Sequence, residues 1–496
     1  LSLTNDIQAY SLYHARRFVI AILAVLFLPV LGSFATDRTW QPTSGSNDWG
    51  NSSNWSPSGT IGWSDWGFIT VATSSGTTNI IYRTGDWGAN GFEISSTGGN
   101  NKFLLNSGHF EANYININSG GIVQVDNGAS LTWWQGGALN SGGTLILNNS
   151  SFNYGGQANG NFDFAGTFIA NTGTFNGLAH SGHDGVQILS GGKLIANSGS
   201  FVLHTGNNTS INGLTIASGG VLQVNEGATF VLNRYDSGGW SVNTPDNFGS
   251  IVLNGGTFTF SKDSSGSLNI DAALRMYNDG TISGYGTLLG SFKQTANSRV
   301  IASNGVLNIF GTAGNQATFT PNAGSEFGVF RAINGGTLKI IGNVSSGMGG
   351  SWNVDAGGIL EINTNISVDL GSAYIPGSQL NGTIRVFSGA NFTLAAAGAS
   401  GPTLHQQGTF NFDGGSIFIP NAGGAGFFTN QALFVVSSSL GGTFQSGFGT
   451  AGSGRNFTFV NTGFITNNIS SATLNLRTGS AGMSNSGTIF VGNGAS

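Results

Sequence analysis

"SGGIVQVDNGASLTW", residues 119–133, returns in nearly the same form as "SGGVLQVNEGATFVL" at residues 218–232. Each copy is a glycine pair, a short alternating run, a polar step and a second alternating run. In the first copy the runs are Ile122-Val123-Gln124-Val125 and Ser130-Leu131-Thr132-Trp133. Period-two alternation places successive side chains on opposite faces, which marks half-buried strands. The Asn, Asp and Gly residues between the runs tolerate the positive φ angles of tight turns. The phrase therefore reads as one strand, a corner and a second strand.

Further copies are "SGGTLILNNSSFNYG" (141–155), "SGGKLIANSGSFVLH" (190–204), "NGGTFTFSKD" (254–263), "NGGTLKIIGN" (334–343) and "AGGILEINTN" (356–365). Looser relatives are "SNGVLNIFG" (303–311), "QGTFNFDGGSIFI" (407–419) and "SGTIFVGNGAS" (486–496). Two neighbouring pairs, at 119 and 141 and at 334 and 356, are 22 residues apart. Short strands at such intervals also suit a sandwich or barrel. Self-similarity sustained over hundreds of residues decides for stacked coils, each too small to bury its apolar face alone. The expectation is an all-β fold, a parallel β-helix of right-handed sense with roughly 20 residues per coil. The last copy is expected to supply a first strand and its corner, so that the natural chain continues beyond it.

Composition agrees. Charged residues are 7% of the 496, against about 25% in ordinary globular proteins, while 39% are apolar and 83 are Gly. Stacked coils place identical positions one above another. Thr, Ser, Asn and Gln can then form ladders where like charges would repel. The formal charge is −5 and the 16 Lys and Arg are scattered. No concentrated basic footprint exists to release nucleic-acid counterions, so nucleic acid is not an expected partner. Cysteine is absent, which excludes disulfides and thiolate metal sites.

Residues 1–35 have the order of a secretory signal peptide: Arg16 and Arg17, an apolar run over 18–31, then Gly32-Ser33-Phe34-Ala35. The run is short for a membrane span, which needs about 20 residues. Cleavage after Ala35, and a secreted or cell-surface destination, are the expectations. The membrane is then met only through this segment or an anchor elsewhere.

Six of the ten Trp lie from Trp40 to Trp87, so residues 36–99 are expected to form a Trp-rich N-terminal cap and the first coils. Trp40, Trp49, Trp55, Trp63 and Trp66 have two readings: core of an aromatic cap, or a platform for stacking sugars. Repeats are expected over 100–496, with Gly/Ser-rich insertions near 310–325, 395–407 and 420–456. "TW" followed by "NDWGNSSNW", with many phrases of the form GG-x-L-x-V-x-x-G-A, resembles the autotransporter-associated β-strand repeat proteins. The resemblance covers most of residues 37–496. It implies a β-helical extracellular stalk of an exported bacterial protein, used in adhesion or surface structure, and it carries no catalytic residues to transfer.

Parallel β-helices also carry polysaccharide lyases and hydrolases, which need carboxylates at a defined separation, or an acidic calcium site with a basic partner. The chain has 21 Asp and Glu with no two adjacent. "AHSGHDG" supplies the densest polar group, His180, His183 and Asp184. Asp163 lies 21 residues before Asp184, and His204 lies 21 after His183, so neighbouring coils could gather them for acid/base or metal chemistry. The alternative is polar turn decoration. A regular Thr-x-Thr face of the kind that binds ice is missing, since Thr257/Thr259 and Thr318/Thr320 are isolated. The expected function is a structural or adhesive β-solenoid without catalysis, cofactor or metal, whose partners are surface glycans, matrix or other cells. A carbohydrate-active enzyme on the same scaffold is the alternative.

Overall fold

The alternating runs become strands that stack in parallel, coil upon coil. In the computed structural model, residues 36–496 are described except 42–47, 71–75, 77, 84, 156–161, 178–185, 206–213, 235–245, 262–274, 296, 312–317, 322–327, 343–346, 350, 370–379, 396–402, 420–425, 447–456 and 478–481. Among the described residues the only helical turn is the 3-10 turn Ser52–Asn54. The signal-peptide expectation lies outside the described residues.

Each coil has three walls. The opening phrase shows how they are made: Gly121–Asp126 is a first wall, 130–133 a second, and 136–139 a third. The next coil repeats them in parallel register, with Val123 beside Leu145, Leu131 beside Phe152, and Leu139 beside Phe164. Val123, Val125, Leu131 and Trp133 are fully buried, so alternate side chains fill the interior as the period requires. Inward positions stack into columns: Phe201, Phe230, Phe258 and Leu288 in one, and Leu307, Leu338, Leu360, Ile384, Phe410, Phe434 and Ile465 in another. Coil length is less uniform than 20 residues, from 16 between Arg275 and Ser291 to 32 between Gly442 and Leu474. A longer stretch between paired strands takes up the difference and leaves the register unchanged.

The glycine pair is explained by two separate constraints. The first glycine turns the chain through a positive φ, +71° at Gly120, +79° at Gly142 and +82° at Gly219. The second lies directly over a carbonyl of the preceding coil. A Cβ at Gly121 would stand 2.3 Å from Ile94 O, and one at Gly143 2.3 Å from Ile117 O. Both positions disfavour a side chain, for different reasons, and in the looser copy at 303 the first is held by Asn304 at φ +58°.

The same pair occupies a different corner in the second half of the chain. At 119, 141, 190 and 218 it precedes a first-wall strand. At Gly255-Gly256, Gly335-Gly336 and Gly357-Gly358 it precedes a second-wall strand: Thr257 pairs with Thr229, Thr337 with Val306, and Ile359 with Thr337, while Gly414-Gly415 and Gly441-Gly442 precede third-wall strands. The steric demand travels with it, because a Cβ at Gly336 or Gly358 would stand 2.2 or 2.3 Å from Ala302 O or Ala332 O. Buried corner asparagines move likewise. Asn247 donates to Asn278 at 2.7 Å at the end of the third wall, and Asn430 donates to Asn461 at 2.7 Å at the end of the first. The repeat grammar has slid round the coil by one wall. Thr488–Val491 accordingly pairs with Phe464–Asn467 on the second wall.

All three stretches expected as insertions hold coil strands, and within 395–407 Thr403–Gln406 pairs with the coil after it. Within 420–456, Gly426–Asn430, Leu433–Val436 and Gly442–Ser446 each pair with the coil before, and Thr318–Pro321 does so within 310–325. Their Gly- and Ser-rich flanks obscure the alternation. Parallel pairing also begins before residue 100, with Asp37 beside Trp66 and Trp66 beside Gly91.

The polar ladders expected from composition are present. Asn254, Asn225, Asn197, Asn171 and Asn148 each donate to the side-chain oxygen of the next, and Asn148 donates to Asp126 at 2.6 Å. Every amide points the same way, and the ladder ends on a carboxylate, which only accepts. Charges also alternate up the second wall, where Glu361 meets Lys339 at 3.2 Å and Arg385 at 3.3 Å.

Candidate functional site

The five N-terminal tryptophans divide. Trp40, Trp49 and Trp55 are core: they pack edge to face with centroids 4.8–5.1 Å apart, and Trp49 continues onto Phe92, Phe103 and Phe110. Trp66 lies on the outer face of the third wall, stacked on Tyr114 at 5.6 Å. Gly91, paired with both, leaves room for the rings to meet. Trp63 alone stands 57% exposed.

A turn over residues 62–65 holds Trp63 out. Asp65 N donates to Gly62 O at 2.9 Å, and the Asp65 carboxylate accepts from Gly62 N at 2.9 Å and Thr36 N at 3.1 Å. The Trp63 ring lies over the backbone of Gly88, where a Cβ would come within 2.3 Å of it. One face of the indole is thus seated on the coil.

Beside it runs a cleft of about 450 Å³ lined by Gly62, Trp63, Asp86, Trp87, Gly88, His109 and Glu111. Strand alternation places these side chains. His109 and Glu111 flank inward Phe110 on His109–Ile117, and Glu111 is the register partner of Gly88 one coil earlier. Glu111 Oε1 meets His109 Nε2 at 2.5 Å, and its Oε2 accepts from Trp134 Nε1 at 3.1 Å. The other imidazole nitrogen contacts Ser130 Oγ on the next coil. Asp86 accepts from His109 N at 3.0 Å. Arg83 lies over the Trp87 ring, 4.3 Å from its centroid, and 3.9 Å from Asp48. Burial lowers the Arg83 pKa and Asp48 opposes that shift, while an arginine stays charged at neutral pH. The cleft combines a flat apolar ring, two carboxylates and an imidazole.

The residues singled out around "AHSGHDG" are placed differently. His180, His183 and Asp184 lie outside the described residues. Asp163 lies on the third wall beside Gln187, whereas His204 lies on the second wall between Asn176 and Asn233. The two therefore belong to separate ladders. Asp163 stands between inward Phe162 and Phe164, and desolvation by its surroundings raises its pKa above 3.8. Among the described residues no group of three or more His, Asp and Glu is arranged to hold a metal ion.

Asp86, His109 and Glu111 escaped the sequence reading because they form no local motif. The available signal was their spacing: Asp86 and His109 are 23 residues apart, close to one coil, and His109 and Glu111 share an outward face. No protein-family model, curated protein or solved structure matches the chain.

Proposed function

We propose that this chain is an exported bacterial β-solenoid that works outside the cell as a structural and adhesive rod, of the kind the autotransporter-associated repeats exemplify. The observation that carries the reading is the stacked fold, whose outer ladders are largely uncharged amides and hydroxyls. Such a surface presents repeated hydrogen-bonding groups and few charges to glycans, matrix or neighbouring cells. Trp40, Trp49 and Trp55 serve as an aromatic cap over the core of the first described coils. Residues 1–35 supply the export signal.

Binding is favoured over carbohydrate cleavage at the one cleft described. Both Glu111 oxygens are engaged, by His109 and Trp134. This arrangement fixes a carboxylate as an acceptor more than it frees one to transfer protons.

The test expresses the chain from Leu1 in a secreting bacterial host and determines the N-terminus of the exported product. Beads coated with that product are then presented to glycan and matrix surfaces. A mature protein beginning at Thr36 that tethers beads supports the proposal. Uncleaved protein retained in the cytoplasm overturns the export reading, and beads that stay free on every surface overturn the adhesive one.

A further inference from the structure

We infer that the cleft between Trp63 and Glu111 is a binding site for a neutral sugar, one pyranose face lying on Trp63 with hydroxyls donating to Asp86 and Glu111. The inference deepens the adhesive reading above and rests on it.

Each part of the cleft narrows the ligand. Its volume of about 450 Å³ lies in the range of small-molecule sites. Trp63 is large, apolar and 57% exposed, yet its position is fixed by the Asp65 turn below it and the Gly88 backbone behind it. A rigid aromatic plane with one seated face offers the other to a flat apolar partner, such as the C–H face of a pyranose. Asp86 and Glu111 contribute acceptors only, which suits hydroxyl donors and opposes an anion.

A cation would also suit carboxylates beside aromatic rings. Here the chain supplies its own cation, since the Arg83 guanidinium already stacks on Trp87. That leaves no aromatic cage for an ammonium group and places a like charge beside it. A neutral polyhydroxylated ligand meets every constraint: an apolar face for Trp63, donors for the carboxylates and no charge to be repelled.

The test titrates the full chain with cellobiose, maltose and lactose, and with choline and a uronic-acid disaccharide as charged probes, by calorimetry. At least one neutral disaccharide is expected to bind. Trp63→Ala should weaken it about tenfold or more, about the scale of one aromatic contact. Trp63→Phe should recover part of the loss, and Asp86→Asn should weaken binding with the fold intact by circular dichroism. Asp163→Asn, on the third wall, should leave it unchanged. The inference is overturned if only choline or the uronic acid binds, if no probe binds, or if Trp63→Ala binds a neutral disaccharide as the parent does. Beads of Trp63→Ala that still adhere to glycans would dismiss the cleft and leave the adhesive reading standing. Parent beads that adhere nowhere would remove both.

Discussion

Replacing Gly143 by Ala tests why the glycine pair recurs. Gly143 has no unusual φ, so backbone conformation alone would tolerate alanine there. The obstacle is the coil before it. The new Cβ would stand 2.3 Å from Ile117 O, 2.9 Å from Ile117 C and 3.1 Å from Asn140 O, about 1 Å inside the ordinary contact distance. Ile117 O is also the acceptor for Asn140 N at 2.9 Å. Relief requires two coils held at a rung of about 4.8 Å to part locally. Overpacking costs about 1–3 kcal/mol, and the weakened backbone hydrogen bond adds about 0.5–1.5 kcal/mol. Gly191 is the control. It has φ +83° and nothing within 4 Å of a Cβ, so alanine there bears only the left-handed backbone cost of about 1–2 kcal/mol. The entropy alanine removes from the unfolded chain is common to both and cancels. Urea unfolding followed by far-ultraviolet circular dichroism should therefore find Gly143→Ala less stable than Gly191→Ala by about 1–2 kcal/mol. Equal stability, or the reverse order, would refute the claim that the second glycine is required by the neighbouring coil.

Other consequences follow from the ladders and columns. Asn171→Ala removes one donor and one acceptor from the middle of the amide ladder, and should cost about 1–3 kcal/mol in the same unfolding assay. Phe434 is fully buried against Phe410, Phe412, Phe444 and Phe459 at 5.2–5.7 Å. Phe434→Ala should cost about 3–5 kcal/mol. Because coils touch only their neighbours, hydrogen exchange should accelerate around residues 410–465 and stay unchanged near residue 123. Burial raises the Asp163 pKa above 3.8, so the folded chain holds that proton more tightly than the unfolded one. Its contribution is fully present below the ordinary carboxylate value and is lost as pH rises toward the raised one. Asp163→Asn should raise the unfolding midpoint slightly at pH 7 and leave it unchanged at about pH 2.5; a lowered midpoint at pH 7 would contradict the assignment.

Strands, corners and their parallel stacking were legible because each rests on a local rule. Alternation separates inward Val123 and Val125 from outward Ile122 and Gln124, and Asn127-Gly128 turns through φ +55° and +77°. Wall assignment is not local. "SGGVLQVN" and "NGGTFTF" obey the same grammar, yet the first forms a first wall and the second a second wall. A strand carries no mark of which wall it joins, because all three bury one face in the same interior. The clue lay in the connections. Up to Ser261 the widest sequence gaps between described strands come after second-wall strands, and from Asp369 they come after third-wall strands. The tryptophans divided on information that composition lacks. Trp49 and Trp63 both sit in turns beside Gly and Asp, and only the Asp65 turn directs one of them outward. The cleft assembles from Asp86, His109 and Glu111 across two coils, so reading it required the register.

The register is also where the account is most exposed. The chain has no cysteine, so introduced pairs report without background. Val221, Ser250 and Thr257 are all partly accessible on their strands. Stacking by phrase similarity would put Val221 beside Thr257, two equivalent positions after the glycine pair. The fold puts Val221 beside Ser250 and Thr257 beside Thr229. Neighbouring Cα atoms about 4.8 Å apart suit a disulfide. Under mild oxidation, with mass spectrometry as the readout, Val221→Cys/Ser250→Cys should cross-link fully and Val221→Cys/Thr257→Cys should not. The opposite result would contradict both the parallel register and the slide of the repeat from one wall to the next.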